Sequence, residues 1–572
     1  MLKNITGSKA VILSLLEEGV DTIFGYPGGA IIPIYDALYD FKEKVNHILA
    51  RHEQGAIHAA EGYAKVTGKA GVCFATSGPG ATNLITGIAD AMMDSVPMVC
   101  ITGQVASPSL GTDAFQESDV VGISMPVTKW NYQITNGDEI PGIIAKAFYI
   151  AQSGRPGPVL LDISKDAQTH ILKEFEYKKC HQIRSYLPEH QINNKRIDDA
   201  VKLINEAKRP LLLVGQGVII SHAEKELKDF LEKTGIPAAW TLLGLSALPS
   251  DHPLNFGMLG MHGNYGPNIL TNKTDLLIAV GMRFDDRVTG QVSSYAPQAK
   301  KIHLEIDPSE INKIIKVDVP ILGDAKKSLS LLTEKVKPNK HTKWLEKFRQ
   351  CDKTEYDTVI SKDIHPEKGK ITMGETVRIV SEKTHQEAIM VTDVGQQQMI
   401  AARYSKFNNS RSCVTSGGLG TMGYGIPAAL GAQLAAPDRT VVAFIGDGGF
   451  QMTLQELGTI VEHKLPVKII LLNNDFLGMV RQWQELFFEK RYSFTELQNP
   501  DFVMISEGFG MKSSRVSKRE NLESSIQKMI DYPGPYMLEV KVEQEEDVFP
   551  MVPSGACVSE IMLTKENKDL KN

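Results

Sequence analysis

The chain has 572 residues, of which 62 are Lys or Arg and 68 are Asp or Glu, so its formal net charge at pH 7 is −6. This length predicts three or four domains, and the small negative charge without a long basic run argues against nucleic-acid or membrane partners and favours small-molecule chemistry. The six scattered cysteines contain no C-x-x-C pair, which suits a reducing cytoplasm.

The first predicted elements are one helix and two short strands. Apolar residues recur at helical spacing over Ser8–Glu18, with Ser8 predicted as the N-cap, and no signal-peptide pattern precedes this helix, so we expect a cytoplasmic protein. Strand patterns follow at Asp21–Gly25 and Val45–Ala50. The second strand leads into Glu53, and by itself a Glu at such a position is more often a solvated loop residue or a helix cap.

A strand, a glycine turn, a helix and a second strand come next. They are predicted at Gly71–Thr76, Ser77–Gly80, Ala81–Met93 and Val96–Thr102. The same succession returns at Val441–Leu472. Alternating strands and helices are typical of parallel α/β sheets, and the recurrence predicts a duplicated fold.

Two polar, charged stretches interrupt this alternation. They are Lys173–Lys195 and Lys337–Lys370, and both are interpreted as linkers. We therefore predict an α/β protein with three doubly wound parallel-sheet domains. The predicted divisions are residues 1–172, 190–335 and 371–550, followed by a mobile C-terminal tail, 551–572.

The middle segment contains part of a dinucleotide-binding pattern. The predicted strand Pro210–Val214 is followed by Gly215-Gln216-Gly217, which is an incomplete fingerprint. Further on, Arg283 and Arg287 could contact a bound dinucleotide or form a local ion-pair cluster with Asp285 and Asp286. The residues alone leave both interpretations open.

The third segment has the most informative pattern. The apolar strand Val441–Ile445 ends at a glycine turn that contains Asp447, a helix is predicted from Gln451 to His463, and the next strand leads into Asn473 and Asn474. Carboxyl ends of neighbouring parallel strands share one crevice, so Asp447 and Asn474 are expected side by side. Mg²⁺ prefers such oxygen ligands, and the helix N-terminus favours phosphate, so this unit predicts a diphosphate and metal site.

The turn Gly446-Asp447-Gly448, combined with Asn473-Asn474 across one helix and one strand, resembles the signature of thiamine diphosphate (ThDP) enzymes. The resemblance implies that Asp447, the Asn474 side chain and the main-chain carbonyl of Phe476 bind Mg²⁺. It further implies that the first and third segments bind the pyrimidine and the diphosphate, with each active site between two subunits. A homodimer or tetramer is therefore expected.

Within that family, Glu53 matches the carboxyl group that bonds to N1′ of the aminopyrimidine and promotes loss of the C2 proton. Three other segments resemble the acetohydroxyacid synthases (acetolactate synthases). They are the loop Ser109–Glu117 with Phe115 and Gln116, the glycine-rich run around Met422, and the helix that contains Trp483. By spacing alone, Met422 and Trp483 could equally be ordinary core residues.

The middle segment resembles the flavin-binding domain of the biosynthetic enzymes, and it implies FAD as a third cofactor beside ThDP and Mg²⁺. The resemblance implies three sets of site residues. The catalytic set is Glu53, Gln116, Phe115, Gly29, Lys165, Met422 and Trp483. The ThDP set is Tyr26, Pro27, Gly28, Gly29, Ala30, Glu53, Gln396, Gly420, Met422, Gly446, Asp447, Gly448, Gly449, Asn474, Gly478, Met479 and Val480. The FAD set is Arg155, Gly215, Gly217, Thr241, Leu242, Met261, His262, Gly281, Arg283, Asp285, Arg287, Val288, Glu305, Ile306, Asp324, Gln398 and Met399.

The implied reaction starts with decarboxylation of pyruvate. The remaining two-carbon unit is transferred to a second pyruvate or to 2-oxobutanoate, giving 2-acetolactate or 2-aceto-2-hydroxybutanoate for valine, leucine and isoleucine synthesis. Family members also recruit a small regulatory subunit. A pyruvate oxidase that uses ThDP and FAD is the alternative enzyme, and a non-catalytic scaffold with the same fold is the alternative outside the enzymes.

Overall fold

The first of three six-stranded sheets occupies the N-terminal part of the chain in a computed structural model that describes residues 2–566. The elements of this N-terminal part are β1 (Leu2–Thr6), α1 (Gly7–Glu17), β2 (Thr22–Gly25), α2 (Ile32–Tyr39), β3 (Asn46–Leu49), α3 (Glu53–Thr67), β4 (Gly71–Ala75), α4 (Pro79–Asn83), α5 (Ile85–Met93), β5 (Met98–Gln104), α6 (Val120–Ser124), β6 (Trp130–Ile134), α7 (Ile140–Gln152), β7 (Pro158–Ser164), α8 (Lys165–Thr169) and β8 (Ile171–Phe175). Strands β2 to β7 form the six-stranded sheet, and β1 and β8 form a separate pair. The predicted Ser8 cap is wrong, because the N-cap of α1 is Thr6, whose hydroxyl accepts a hydrogen bond from the Lys9 N–H at 3.2 Å.

The second sheet forms the central part. Its elements are α9 (Asn194–Glu206), β9 (Pro210–Val214), α10 (Gly217–Ile220), α11 (Glu224–Thr234), β10 (Ala238–Trp240), β11 (Asn255–Met258), α12 (Tyr265–Thr271), β12 (Leu276–Val280), α13 (Asp286–Thr289), β13 (Lys300–Glu305), β14 (Val319–Leu322) and α14 (Ala325–Lys335). The first predicted linker is partly wrong, because its start belongs to β8 and its end to α9.

The second predicted linker is wrong. It contains α15 (Thr342–Glu355), a π-helical turn (Tyr356–Ile360) and α16 (Ser361–Ile364). Trp344 and Phe348, one helical turn apart on α15, are buried in the core of the central sheet, and the Trp344 indole donates a hydrogen bond to Pro210 O at 2.8 Å. The many charged residues lie on the opposite face of an amphipathic helix, which is why the stretch resembled a linker.

The third sheet forms the C-terminal part. Its elements are α17 (Met373–Lys383), β15 (Ile389–Thr392), α18 (Gln396–Tyr404), β16 (Cys413–Val414), α19 (Gly425–Ala435), β17 (Val441–Gly446), α20 (Asp447–Thr453), α21 (Glu456–Glu462), β18 (Lys468–Asn473), α22 (Gly478–Phe487), α23 (Phe502–Gly508), β19 (Lys512–Val516), α24 (Leu522–Asp531) and β20 (Tyr536–Lys541). The single helix predicted over Gln451–His463 is wrong, because α20 already begins at Asp447 and α21 is separate. A hydrogen bond from the Thr453 hydroxyl to Gly423 O at 2.8 Å ties the end of α20 to a neighbouring turn.

All neighbouring strands within the three sheets are parallel, whereas the two strands of the separate β1–β8 pair are antiparallel. The first sheet has the order β3-β2-β4-β5-β7-β6 and the third β16-β15-β17-β18-β20-β19. When the six strands of each sheet are numbered 1 to 6 in chain order, both sheets have the strand order 2-1-3-4-6-5, which confirms the predicted duplication. The central sheet, β11-β10-β9-β12-β13-β14, instead reads 3-2-1-4-5-6, the order of dinucleotide-binding sheets.

The first and third sheets share one hydrophobic core through the crossing of α3 and α19. On β4, Cys73 and Ala75 face this shared core, whereas Val72 and Phe74 face a separate core of the first sheet. At the crossing, a Cβ on Gly431 would lie 1.8 Å from Ala59 O, so only glycine permits this approach. The two sheets are therefore held in close contact within one chain.

The C-terminal segment packs against the rest of the protein as far as residue 566. Met551 and Met562 exchange two main-chain hydrogen bonds at 2.9 and 2.8 Å, and Val552 N donates to Met261 O at 2.8 Å. The prediction of a mobile tail is thus wrong for residues 551–566, while residues 567–572 lie outside the described part. Between residues 2 and 566, no helix is long and apolar enough to cross a membrane.

Candidate active site

Asp447 and Asn474 leave adjacent strands at the same edge of the third sheet. Gly446, the last residue of β17, pairs with Leu472 on β18, so both side chains follow the carboxyl ends of their strands. Asn499, which the sequence analysis missed, donates to Asp447 Oδ2 at 2.7 Å and to Asn473 Oδ1 at 3.2 Å. The only sequence signal for this bridging amide was the turn-forming Asn499-Pro500 pair.

The carboxyl group of Asp447 is almost completely buried. Burial raises its pKa to about 6, although hydrogen bonds from Asn499 and from the Gly448 N–H oppose the rise. A divalent cation would compensate this buried charge. The carboxylate of Asp447, the amide oxygen of Asn474 and the carbonyl of Phe476 are oxygen donors of the kind that Mg²⁺ prefers, so these residues fit the ion.

A second buried carboxyl group, Asp393, organises the turns around this edge. It follows β15 and accepts hydrogen bonds from Gly423 N at 3.1 Å and from Gly425 N at 2.8 Å. These contacts fix the turn on which Met422 lies. Sequence reasoning missed Asp393, since an acidic residue at a strand end resembles any loop residue.

Helix α22 contacts the same edge through its first turn. The amide of Asn474 donates to Gln396 Oε1 at 3.4 Å, and the Gln396 amide donates to Gln482 Oε1 at 3.1 Å. A Cβ on Gly478 would lie 2.1 Å from Gln396 Oε1, so a larger residue there would displace the Gln396 amide. Met479, Val480 and Trp483 follow on this helix.

A cavity of about 1140 Å³ extends from α22 into the central sheet. It is large enough for a cofactor together with a substrate. The predicted residues of the third segment that line it are Gln398, Met399, Gly420, Met422, Met479, Val480 and Trp483. The predicted residues outside that segment that line it are Arg155, Gly217, Thr241, Leu242, Met261, His262, Gly281, Arg283, Asp285, Arg287, Val288, Glu305, Ile306 and Asp324. Of the predicted FAD contacts, only Gly215 is absent from the wall, because it packs behind it against Gly281 and Met282.

The central end of the cavity lies at the switch point of its sheet. There the turns after β9 and β12 meet, and Gly217 N donates to Gly281 O at 2.9 Å. Nδ1 of the buried His262 has no partner within the described part of the chain, and burial lowers the pKa of this ring to about 3, so it is neutral. Glycine turns, a neutral imidazole and arginines in one wall fit a flavin dinucleotide.

The two arginines of the central motif have different surroundings. Arg287 pairs with Asp286 at 3.3 Å on the surface, as the local-pair interpretation required. For Asp285, burial raises the pKa and the nearby Arg283 opposes the rise. Both arginines also line the cavity, so the local pair and a ligand contact are compatible.

The cavity floor is held by two carboxyl groups, one on helix α5 of the first sheet and one at the C-cap of that helix. Asp94 accepts hydrogen bonds from Gly417 N at 2.9 Å and Gly418 N at 2.6 Å, and it pairs with Lys65 at 2.8 Å. Asp90 accepts a hydrogen bond from the Ser416 hydroxyl at 2.8 Å. The contacts with Ser416 and Gly417 join residues more than 300 positions apart, so no local pattern predicts them.

The remaining predicted residues cluster at the carboxyl edge of the first sheet. The turn Tyr26–Ala30 follows β2 and is held by Thr76, whose hydroxyl accepts a hydrogen bond from Ala30 N at 3.2 Å. Glu53 follows β3 as the first residue of α3 and is buried. The Asn83 amide donates to Glu53 Oε2 at 3.0 Å, and Gly80 lies against Oε1.

Phe115, Gln116 and Lys165 lie at that same edge but are exposed. Phe115 is 87% exposed on the loop after β5, Gln116 has a left-handed backbone conformation with φ of 58°, and Lys165 follows β7. Neither these residues nor Glu53 are among the residues that line the large cavity. The described residues therefore form two half-sites, one at each sheet edge.

Three profiles of thiamine pyrophosphate enzymes match the chain. The N-terminal TPP binding domain matches residues 5–123, the central domain 197–332 and the C-terminal TPP binding domain 393–540. The chain is 49% identical to the acetolactate synthase large subunit of Corynebacterium glutamicum, over 98% of this chain and 90% of that protein. It is 46% identical to the acetolactate synthase isozyme 2 large subunit of Escherichia coli K12, over 98% of this chain and 99% of that protein. It is 44% identical to the acetolactate synthase large subunit of Lactococcus lactis, over 100% of this chain and 99% of that protein.

Proposed function

The chain belongs to the acetolactate synthase large subunits of the thiamine pyrophosphate enzymes, and from this premise we propose how its residues carry out the reaction. The enzyme decarboxylates pyruvate and joins the remaining two carbons to a second pyruvate or to 2-oxobutanoate. Two pyruvates give one 2-acetolactate and one CO₂, so no oxidant is consumed. The observation that supports this most directly is the single cavity in which Met422 and Trp483 face the glycine turns of the central sheet.

The cofactors are ThDP, Mg²⁺ and FAD. When bound, ThDP supplies the electron sink for decarboxylation, and the residues at the Asp447 edge would hold its diphosphate through Mg²⁺. FAD would occupy the central end of the cavity, where it has a structural role, since the reaction involves no net redox change. The corresponding domain assignment is 1–172 for the pyrimidine, 190–335 for FAD and 371–550 for the diphosphate.

Product analysis tests the reaction. Purified protein with pyruvate, ThDP, Mg²⁺ and FAD is expected to form 2-acetolactate and CO₂ in equal amounts without bulk reduction of the flavin. Omission of FAD is expected to lower the rate without changing the product. Formation of acetate or acetyl phosphate with reduced flavin would instead identify an oxidase and contradict the assignment.

Glu53 is assigned the proton relay. Asn83 holds Oε2, so the proton shared with the pyrimidine is assigned to Oε1, the oxygen that faces Gly80. Glu53 is 9% exposed, so its carboxyl group has little contact with bulk water. In this assignment Phe115 and Gln116 from the neighbouring loop contact the reacting carbons of the substrate.

Trp483 is assigned to the wall of the pocket that binds the second 2-oxoacid, the acceptor. Its indole lines the cavity and packs against Phe487, with the ring centroids 5.0 Å apart and the ring planes tilted by 42°. This side chain presents a broad apolar surface. One extra methylene buried against such a wall is worth about 1–3 kcal/mol, enough to prefer 2-oxobutanoate over pyruvate. Trp483→Leu is therefore expected to lower this preference by about tenfold or more in a competition between the two acceptors.

The active site is assigned to the contact between two subunits, because within one chain Glu53, Phe115, Gln116 and Lys165 do not line the cavity that Met422 and Trp483 line. A homodimer or tetramer follows. Glu53→Gln and Asp447→Asn chains, assayed at an Mg²⁺ concentration at which each has little activity alone, are expected to regain about a quarter of the original activity when coexpressed. Half of all dimers are then mixed, and each mixed dimer carries one intact site of its two. Absence of any recovery in dimers purified through two different tags would contradict a shared site.

A small regulatory subunit is assigned as a further partner, because the relatives are named large subunits.

A further inference from the structure

Helix α22 is bound to the C-terminal segment by four charged side chains, Arg481, Glu485, Asp547 and Lys565, which we call the charge ring. The Arg481 guanidinium lies 2.5 Å from Glu485 and 2.6 Å from Asp547. The Lys565 ammonium closes the ring, at 2.7 Å from Glu485 and 2.5 Å from Asp547. Each cation thus contacts both carboxylates.

The charge ring is buried except at Lys565. The side chains of Arg481, Glu485 and Asp547 are 1%, 8% and 2% exposed, whereas Lys565 is 42% exposed. Burial alone raises the pKa of Glu485, yet the bonds from Lys565 and Arg481 outweigh burial and hold that pKa below its usual value. Removal of one cation would leave two buried carboxylates sharing a single partner, which is strongly unfavourable.

Two further contacts fix the same helix to the same segment. Val548 N donates to Gln482 Oε1 at 2.9 Å, and the Gln482 amide donates back to Val548 O at 3.2 Å. A small hydrophobic core joins Leu486 of the helix to four residues of the segment, and Trp483 packs against it. Those four residues are Phe549, Met551, Met562 and Leu563.

Trp483 therefore lies between the Gln482 contact, the small core and the charge ring. Arg481 and Glu485 are its neighbours at −2 and +2 along the helix, and both are held by residues from outside the helix. A small rotation of α22 would move the indole relative to the cavity. Misplacement by about 1 Å is enough to change reactivity by up to about two orders of magnitude.

We propose that Arg481 and Lys565 are positioning residues for acceptor selection, because the charge ring they complete fixes α22 and thereby the indole wall of Trp483. This inference rests on the proposed role of Trp483. The choice between pyruvate and 2-oxobutanoate as acceptor then depends on the C-terminal segment, although none of its side chains is assigned to contact the reacting atoms.

Lys565→Met tests the inference, because this exposed side chain can be replaced without opening the core. With pyruvate and 2-oxobutanoate in competition, the ratio of 2-aceto-2-hydroxybutanoate to 2-acetolactate is expected to fall about 3- to 10-fold, while kcat with pyruvate alone changes less than about twofold. Lys565→Arg is expected to restore the ratio. Lys225→Met, which removes a surface pair with Asp229 on α11, is the matched control and is expected to leave the ratio unchanged.

A double variant separates this inference from the role of Trp483. If the charge ring acts through the indole, Lys565→Met is expected to add no further change to the ratio in a Trp483→Leu background. A Trp483→Leu ratio equal to that of the unmodified protein would overturn both the role of Trp483 and the inference. A shifted Trp483→Leu ratio with an unshifted ratio in both Lys565→Met and Glu485→Gln would overturn the inference alone.

Discussion

Glu53→Gln is expected to lower kcat for 2-acetolactate formation by about 10²- to 10⁴-fold, the range that one positioned general acid–base group contributes. The amide has the shape of the carboxyl group and can still accept the hydrogen bond from Asn83, so the fold is retained. It cannot exchange a proton at Oε1. Steady-state rates with pyruvate, together with thermal unfolding and ThDP titration, separate loss of proton transfer from loss of binding.

Two variants bracket this result. Glu53→Asp keeps the acid but shortens its reach, and an intermediate rate is expected. Glu174→Gln removes a surface carboxyl group that lies 3.7 Å from Lys3 on the β1–β8 pair, and it is expected to leave kcat unchanged. A Glu53→Gln protein with the original kcat would refute the assigned proton relay.

Asp447→Asn is expected to weaken Mg²⁺-dependent ThDP binding by about 10²-fold or more, because loss of even an outer-shell partner already costs 10- to 100-fold in metal affinity. Asp447 is the single carboxylate among the three assigned ligands, and it is 2% exposed. The Mg²⁺ concentration that gives half-maximal activity is the measurement. In the absence of cofactors, a buried neutral amide is less costly than a buried carboxylate, so unfolding of the variant is expected at the same temperature or higher.

Asp475→Asn is the matched control for that change. Asp475 lies at the same sheet edge and also accepts a hydrogen bond from Asn499, but it pairs with Lys541 at 3.0 Å and is not an assigned ligand. Its replacement is expected to change the Mg²⁺ requirement by less than about tenfold. Equal Mg²⁺ requirements in the Asp447→Asn protein and the unmodified one would exclude Asp447 as a ligand.

The strands that carry these residues could be predicted because their signals are local. The run Val441–Gly446 is apolar, contains three β-branched residues and stops at glycines. The run Gly71–Ala75 is likewise apolar and is followed by a glycine turn, and this recurrence predicts the duplication that the strand orders confirm. Resemblance to a known family then supplied the cofactors, which no local pattern specifies.

The misjudged segments share a different property. Residues 342–364 carry many charges, and only packing against the central sheet reveals that Trp344 and Phe348 form a buried stripe. The C-terminal tail was predicted as mobile for the same reason, yet Met551 and Met562 pair with each other and help to bury Trp483. The composition of a segment gives its number of charged residues. Whether the segment is ordered depends instead on whether its apolar residues lie on one face that packs against the rest of the protein.

By itself, the sequence determined the α/β class, the strand ends and the residue types at those ends, because each depends on neighbours within one turn or one strand. Only the tertiary structure decided which polar groups are paired. Asp393 holds Gly423 across 30 positions, Asn499 reaches Asp447 across 52, and Lys565 reaches Glu485 across 80. A buried polar group must find a partner wherever the fold brings one, and that partner's distance along the chain leaves no local trace.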